Sequence, residues 1–402
     1  MMTGVDDTAT MLTGRVVTPE RVLDDGAVLL EGDRISWVGR RADLDDRSAE
    51  RPDDWAEGRT ILPGLVDVHC HGGAGGEFGA DPAAGRTAAM HHLRHGTTSL
   101  VGSLVSAPAP SLVAGVAACA QLVAAGVLAG IHLEGPFLSV ARCGAQDPTT
   151  LVDPDPSLVD ALLTAAQGGL VQMTFAPERS GAAELVDQLA TARAIPAVGH
   201  TDCDAVVARS ALDRVLERGP RAGRPLVTHV FNGMPPLHHR SPGPVAAALG
   251  SAARGEGVLE VVGDSVHLAP ETVRMLFETV GPDGLALITD AMAASGMPEG
   301  RFRLGGREVV VEGRTARLAD GGAIAGGVAT LIDVVRWCVT EVGVPLHDAV
   351  NAASRTPAAV MGWSDVGALE AGRRADLLVV DDDLQPVCLL RAGEWVHDPR
   401  GS

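Results

Sequence analysis

The 402-residue chain has no tyrosine and no lysine, so all 32 of its basic residues are arginine. Without lysine there is no Schiff-base amine, no P-loop ammonium and no carboxylated-lysine bridge between metal ions. Without tyrosine there is no phenolic acid or base. Aromatic residues make up only 3% of the chain, so core packing falls to Leu, Val, Ile and Ala. Basic groups are also too few to balance 51 acidic ones, and the formal charge is −19. That balance argues against a broad nucleic-acid surface, which relies on neutralising phosphates. The six cysteines are scattered, without a C-x-x-C pair. In a chain of this length they read as reduced thiols in a cytoplasmic protein.

The N-terminus has neither a basic stretch nor an apolar run of the kind that marks a secretory signal. The most apolar stretch, roughly 112–131, is rich in Ala and Gly, contains Gln121 and runs into HLEGP. It reads as a buried helix followed by a strand, with no membrane span. A hydrophobic fraction of 46% is ample for a core, and Gly and Pro stay below low-complexity levels.

Residues 1–60 read as short strands and turns, followed by a polar excursion, RADLDDRSAERPDDWAEGR. From Ile61 onward, eight strand-like apolar runs alternate with helix-length segments. They are 65–72, 97–104, 127–135, 171–178, 195–202, 226–233, 258–268 and 285–292. Eight such alternations predict an α/β fold, a (β/α)8 TIM-type barrel, with a doubly wound sheet as the alternative. An inserted hairpin is expected within FRLGGREVVVEGRTARLADGGAIAGG. The strand-rich ends, 1–60 and 368–402, are expected to pair as a small β-sandwich domain beside a barrel over 61–367.

The polar residues that close these runs carry the chemistry. His69 and His71 end the first, Glu134 the third, His200 the fifth, His229 the sixth and Asp290 the eighth. In a parallel barrel all those ends open on one face. Side chains two apart on a strand point the same way, so His69 and His71 face together and Cys70 faces away. A lone His at such a position is as often a hydrogen-bonded core residue as a ligand. The full set at successive strand ends instead predicts a divalent metal site, and imidazole with carboxylate suits Zn2+ or Fe2+. His91, His92 and His95 are expected on a helix surface or in a loop.

Five segments, PGLVDVHCHG, HLEGPFLS, GHTD, THVFNGM and LITDAM, in this order, resemble the amidohydrolase superfamily. HLEGPF and THVFNGM are similar, within it, to the N-acetylglucosamine-6-phosphate deacetylase family, and a closing GALEAGRRADLLVVD resembles that family's terminal β-segment. The resemblance implies metal ligands at Glu134, His200 and His229, with His69 and His71 completing a second ion, hence one or two ions per subunit. It implies a catalytic acid/base at Asp290. It further implies substrate contacts at His267, at Arg240 for a phosphate, at Asn232 and Gly233, and in the loop that here carries Gln146 where some members have a His. Cys143 in that loop reads as an ordinary loop cysteine or a reactive thiol. The implied reaction is hydrolysis of an N-acetyl amide on a 6-phosphorylated amino sugar, in a homodimer. The galactosamine epimer, an N-acyl amino acid hydrolase, an aminopurine deaminase and a non-catalytic scaffold remain as alternatives.

Overall fold

The computed structural model describes residues 10–44, 58–219, 221 and 223–397. Residues 1–9 of the N-terminal stretch read for a signal and the middle of the polar excursion, 45–57, lie outside the described residues.

Eight parallel strands form one sheet in sequential order: Leu65–Cys70, Thr97–Val105, Gly130–Glu134, Leu170–Phe175, Ile195–Val198, Leu226–Val227, Val258–Val262 and Leu285–Ile288. The sheet closes on itself. Asp290 N–H donates to the His69 carbonyl at 2.9 Å, and His71 N–H donates to the Ala291 carbonyl at 2.7 Å. The strands read as continuous apolar runs because both of their faces are covered. Helices follow them, starting where the sequence supplies caps. The side chains of Asp81, Asp155 and Asp204 accept first-turn N–H groups, two of them ahead of a proline at the first helical position. The apolar stretch near 112–131 resolves into helix Ala109–Ala124 and strand Gly130–Glu134. Among the described residues no helix is long and apolar enough to cross a membrane.

Segments from both ends build a seven-stranded sheet. Its order is Glu394–His397, Pro386–Arg391, Leu377–Val380, Thr60–Pro63, Thr10–Val17, Val22–Glu31 and Arg34–Arg40. It has its own apolar core, including Leu12, Val28, Ile35, Ile61, Leu377 and Leu390. Thr60–Pro63, just ahead of the first barrel strand, pairs with both terminal segments and ties this sheet to the barrel.

The insertion after the eighth strand has one strand more than the expected hairpin. Gly300–Leu304, Arg307–Glu312 and Thr315–Leu318 form an antiparallel meander. Val309, Val311, Ala316 and Leu318 pack there against Ala145 and Met292, which fixes the meander beside the C-terminal mouth of the barrel.

His91 and His92 contradict the surface expectation, since both are buried. Their helix, Pro82–Arg94, turns them towards the barrel, where glycines make room for the rings. A Cβ on Gly73 would lie 2.9 Å from either imidazole, and one on Gly296 would lie 2.3 Å from His91. His92 Nε2–H donates to the Gly72 carbonyl at 2.9 Å, and His91 Nε2 meets Ser295 Oγ at 3.1 Å. Burial pushes their pKa values down to about 3 and about 4 respectively, so both are neutral. His95 is half-buried and bonds the His91 carbonyl.

Candidate functional site

The strand ends bring the predicted residues together in two adjoining groups. In the first, Glu134 Oε1 lies 3.0 Å from His200 Nε2 and 2.8 Å from His229 Nε2, and the two imidazole nitrogens are 3.1 Å apart. In the second, His69 Nε2 lies 3.0 Å from His71 Nε2, and Asp290 Oδ1 is 3.4 Å and 3.3 Å from the two. Glu134 also reaches this group, with Oε2 3.3 Å from His71 Nε2. All six side chains are largely buried. Cys70 turns the other way, to the Gly72 carbonyl and His92.

Ring orientation shows what these groups can hold. A carbonyl only accepts, so His71 donates Nδ1–H to Ser103 at 3.1 Å and His200 donates Nδ1–H to Arg142 at 2.7 Å. His69 Nδ1 lies 2.9 Å from the Glu260 carboxylate. With the Nδ1 positions of His69, His71 and His200 committed, the Nε2 lone pairs of these imidazoles, when neutral, point at one another and at carboxylate oxygens. Such an array repels itself unless a proton or a cation sits in it. Electrostatics agrees. Burial opposes charge on His71, but hydrogen bonds to Asp290 and Glu134 outweigh it and lift its pKa to about 10. Burial would raise Asp290, but the adjacent His69 and His71 hold it down at about 2. Burial would raise Glu134 too, and His200 and His229 hold it well below the usual carboxylate range. The donor set therefore fits one or two divalent cations, taken by histidine nitrogen and carboxylate oxygen.

The backbone is strained where these candidate residues leave their strands. His200, His229 and Asp290 all have positive φ, +46°, +26° and +47°. Non-glycine residues rarely adopt that region, and they cluster in it at functional sites. Gly233 has φ +61°, and a Cβ there would lie 2.9 Å from His200 Nδ1. A side chain at 233 would therefore require the His200 ring to shift.

A cavity of about 320 Å³ opens above the two groups, at the small end of the small-molecule range. His71, Glu134, His200, His229 and Asp290 form its floor, and Gln146, Asn232, Gly233 and His267 contribute walls. His267 donates Nδ1–H to Asp264 at 2.7 Å, and its Nε2 lies 3.9 Å from Asp290 Oδ2. Gln146 is committed on both sides: its Oε1 accepts from Ser106 N at 2.8 Å, and its Nε2 donates to Glu134 Oε2 at 2.7 Å. It thereby fixes Glu134 while facing the cavity. Arg240 lies outside the cavity wall. It is exposed, and its Nη1 donates to His239 Nε2 at 2.7 Å. Among the described residues, the arginine that does line the cavity is Arg317, carried by the inserted meander.

The sequence reading missed the support beneath these groups. Glu260 on the seventh strand is fully buried under His69. Asp264 anchors His267, and His132 fills the barrel axis between Ser103 Oγ at 2.9 Å and Thr174 Oγ1 at 2.8 Å. Burial drives the pKa of His132 far down, so it is a neutral packing element. The available signal was one acidic residue within the apolar run VLEVV.

The model of the amidohydrolase family matches residues 60–396. The N-acetylglucosamine-6-phosphate deacetylase of Bacillus subtilis (strain 168) is 31% identical over 393 residues, covering 94% of each chain. The N-acetylgalactosamine-6-phosphate deacetylase of Escherichia coli O157:H7 is 31% identical over 377 residues, covering 92% of this chain and 94% of that one. A solved structure of N-acetyl-D-glucosamine-6-phosphate deacetylase from Mycobacterium smegmatis, with N-acetyl-D-glucosamine-6-phosphate bound, is similar. It is 39% identical with a TM-score of 0.90, covering 97% of this chain and 100% of that one.

Proposed function

This chain belongs to the amidohydrolase family, and from that premise we propose that it hydrolyses the N-acetyl amide of N-acetylglucosamine 6-phosphate to acetate and glucosamine 6-phosphate. The observation that carries the reading is the meeting of Glu134 Oε1 with His200 Nε2 and His229 Nε2, at 3.0 Å and 2.8 Å, beside Asp290 on one cavity floor. The relatives named above supply the substrate class.

Glu134, His200 and His229 would hold one cation and His69 and His71 a second, with Zn2+ the ion that best suits nitrogen and carboxylate donors. When bound, a divalent cation polarises the acyl carbonyl and lowers the pKa of water to about 7. Asp290, ionised at neutral pH, takes a proton from the attacking water. It returns that proton to the amide nitrogen as the C–N bond breaks, which spares the leaving group from departing as an anion. Burial opposes charge on His267, but its hydrogen bond to Asp264 outweighs that and raises its pKa, so the imidazolium donates Nε2–H to the carbonyl oxygen as negative charge develops there. Asn232 and Gly233 line the sugar side.

An anionic substrate needs local positive charge in a protein of net charge −19. We assign the phosphate to Arg240, whose planar fork matches phosphate oxygens. Its place outside the cavity of its own chain, next to the exposed Leu237, fits a homodimer in which this loop faces the neighbouring subunit's cavity.

The test is acetate release from N-acetylglucosamine and N-acetylgalactosamine, each with and without the 6-phosphate. The reading requires turnover that depends on the phosphate and is fastest on the gluco epimer. Absence of acetate from every member of the panel refutes it.

A further inference from the structure

Glu260 is a carboxylate with no accessible surface, flanked on its strand by Leu259 and Val261, which are equally buried. Leaving an ion in such a place costs several kcal/mol unless it is paired or hydrogen-bonded. Among the described residues no arginine pairs with it: its partners are His69 Nδ1 at 2.9 Å, Gln172 Nε2 at 2.6 Å and the His229 backbone N–H at 3.3 Å. Two of these belong to the candidate ligand groups, one in each. The carboxylate accepts from all three, so the His69 proton stays on Nδ1 and its lone pair on Nε2. That lone pair faces His71 Nε2 at 3.0 Å, Asp290 Oδ1 at 3.4 Å and Glu134 Oε1 at 3.7 Å. His71 needs no such help, since its Nδ1–H is given to the Ser103 carbonyl.

We infer that Glu260, held in place by Gln172, is a positioning residue that turns His69 and His71 into a working second cation site. A carboxylate behind a ligating imidazole fixes its tautomer, orients the ring and raises its basicity, and removing it weakens metal binding about 10–100-fold. It also adds negative charge behind a pair of neutral donors, which favours a dication over a proton. The same carboxylate bonds the backbone of His229, so the two cation sites share one support. The inference rests on reading His69 and His71 as ligands. It specifies which buried residue makes the second ion bind.

The experiment loads the purified protein with Co2+ and measures bound cobalt by elemental analysis after equilibrium dialysis over a series of free Co2+ concentrations. The wild-type chain is expected to bind two equivalents. Glu260→Gln is expected to keep the equivalent held by Glu134, His200 and His229, with the second requiring at least about tenfold more free Co2+. A merely structural Glu260 would lower the melting temperature and leave two equivalents at unchanged affinity, and that result overturns the inference. If Glu260→Gln does not fold, Gln172→Met decides, because it keeps the carboxylate but frees it. Weaker second-site binding supports the inference and unchanged binding overturns it. One equivalent in the wild type also overturns it, whereas acetate release judges the proposed reaction separately.

Discussion

Replacing Asp290 with Asn removes proton transfer while leaving the side chain's shape almost intact. The site itself makes the substitution a clean one. Asp290 sits at φ +47°, a conformation that Asn tolerates better than most residues. Asn keeps one carbonyl oxygen towards His69 and His71, which lie 3.4 Å and 3.3 Å from Oδ1. The Glu134, His200 and His229 group does not depend on it. What disappears is the group proposed to accept a proton from water and return it to nitrogen. Positioned acid–base catalysis contributes about 10²–10⁴-fold, and at about 1.4 kcal/mol per decade that is about 3–5 kcal/mol of barrier. Steady-state acetate release from Asp290→Asn is therefore expected to show kcat down about 10³-fold, with KM within a few-fold of wild type. The melting temperature should stay within a few degrees, and elemental analysis should still find the ion of the Glu134 group. A variant with more than about a tenth of wild-type kcat would refute the proton-shuttle role. One that lost every bound ion would show that Asp290 acts through the metal instead.

Arg240→Ala should raise KM for the 6-phosphorylated sugar by about 10–100-fold, the worth of a charge-assisted hydrogen bond, and leave the unphosphorylated sugar unaffected. Equal losses on both sugars would take Arg240 out of phosphate recognition. Stripping the protein with a chelator should lower its melting temperature by several degrees and Zn2+ should restore it, since an ion at a hundred times its Kd contributes about 2.7 kcal/mol. An unmoved melting curve would contradict a bound cation. Burial lowers the His92 pKa from 6.5 to about 4, so the unfolded chain binds that proton first as pH falls. The stability it contributes is complete above pH 6.5 and is lost progressively towards pH 4, by at most about 3 kcal/mol. Denaturant midpoints of wild type and His92→Leu should thus converge across that window, and a constant difference would refute a neutral buried His92.

The barrel and the convergence of the candidate ligand groups were legible because both follow from local pattern. A buried parallel strand must be apolar, so a His or Glu at its end is conspicuous, and strand order alone puts His69, Glu134, His200, His229 and Asp290 on one rim. What escaped depends on who packs against whom. His91 and His92 look like surface residues of an ordinary helix. They turn inward because Gly73 and Gly296, far apart in sequence, leave room for two rings. Arg240 and Arg317 are indistinguishable as loop or strand arginines until the meander is seen to fold over the cavity and bring only the second to its wall. Glu260 is the instructive case. One acidic residue inside VLEVV weakens the strand reading slightly and signals nothing more, because its partners His69 and Gln172 come from the first and fourth strands. A closed barrel makes every inward side chain a neighbour of residues far away in sequence. The candidate ligands at its rim can be read strand by strand, while the buried groups that hydrogen-bond to them are set by closure of the sheet.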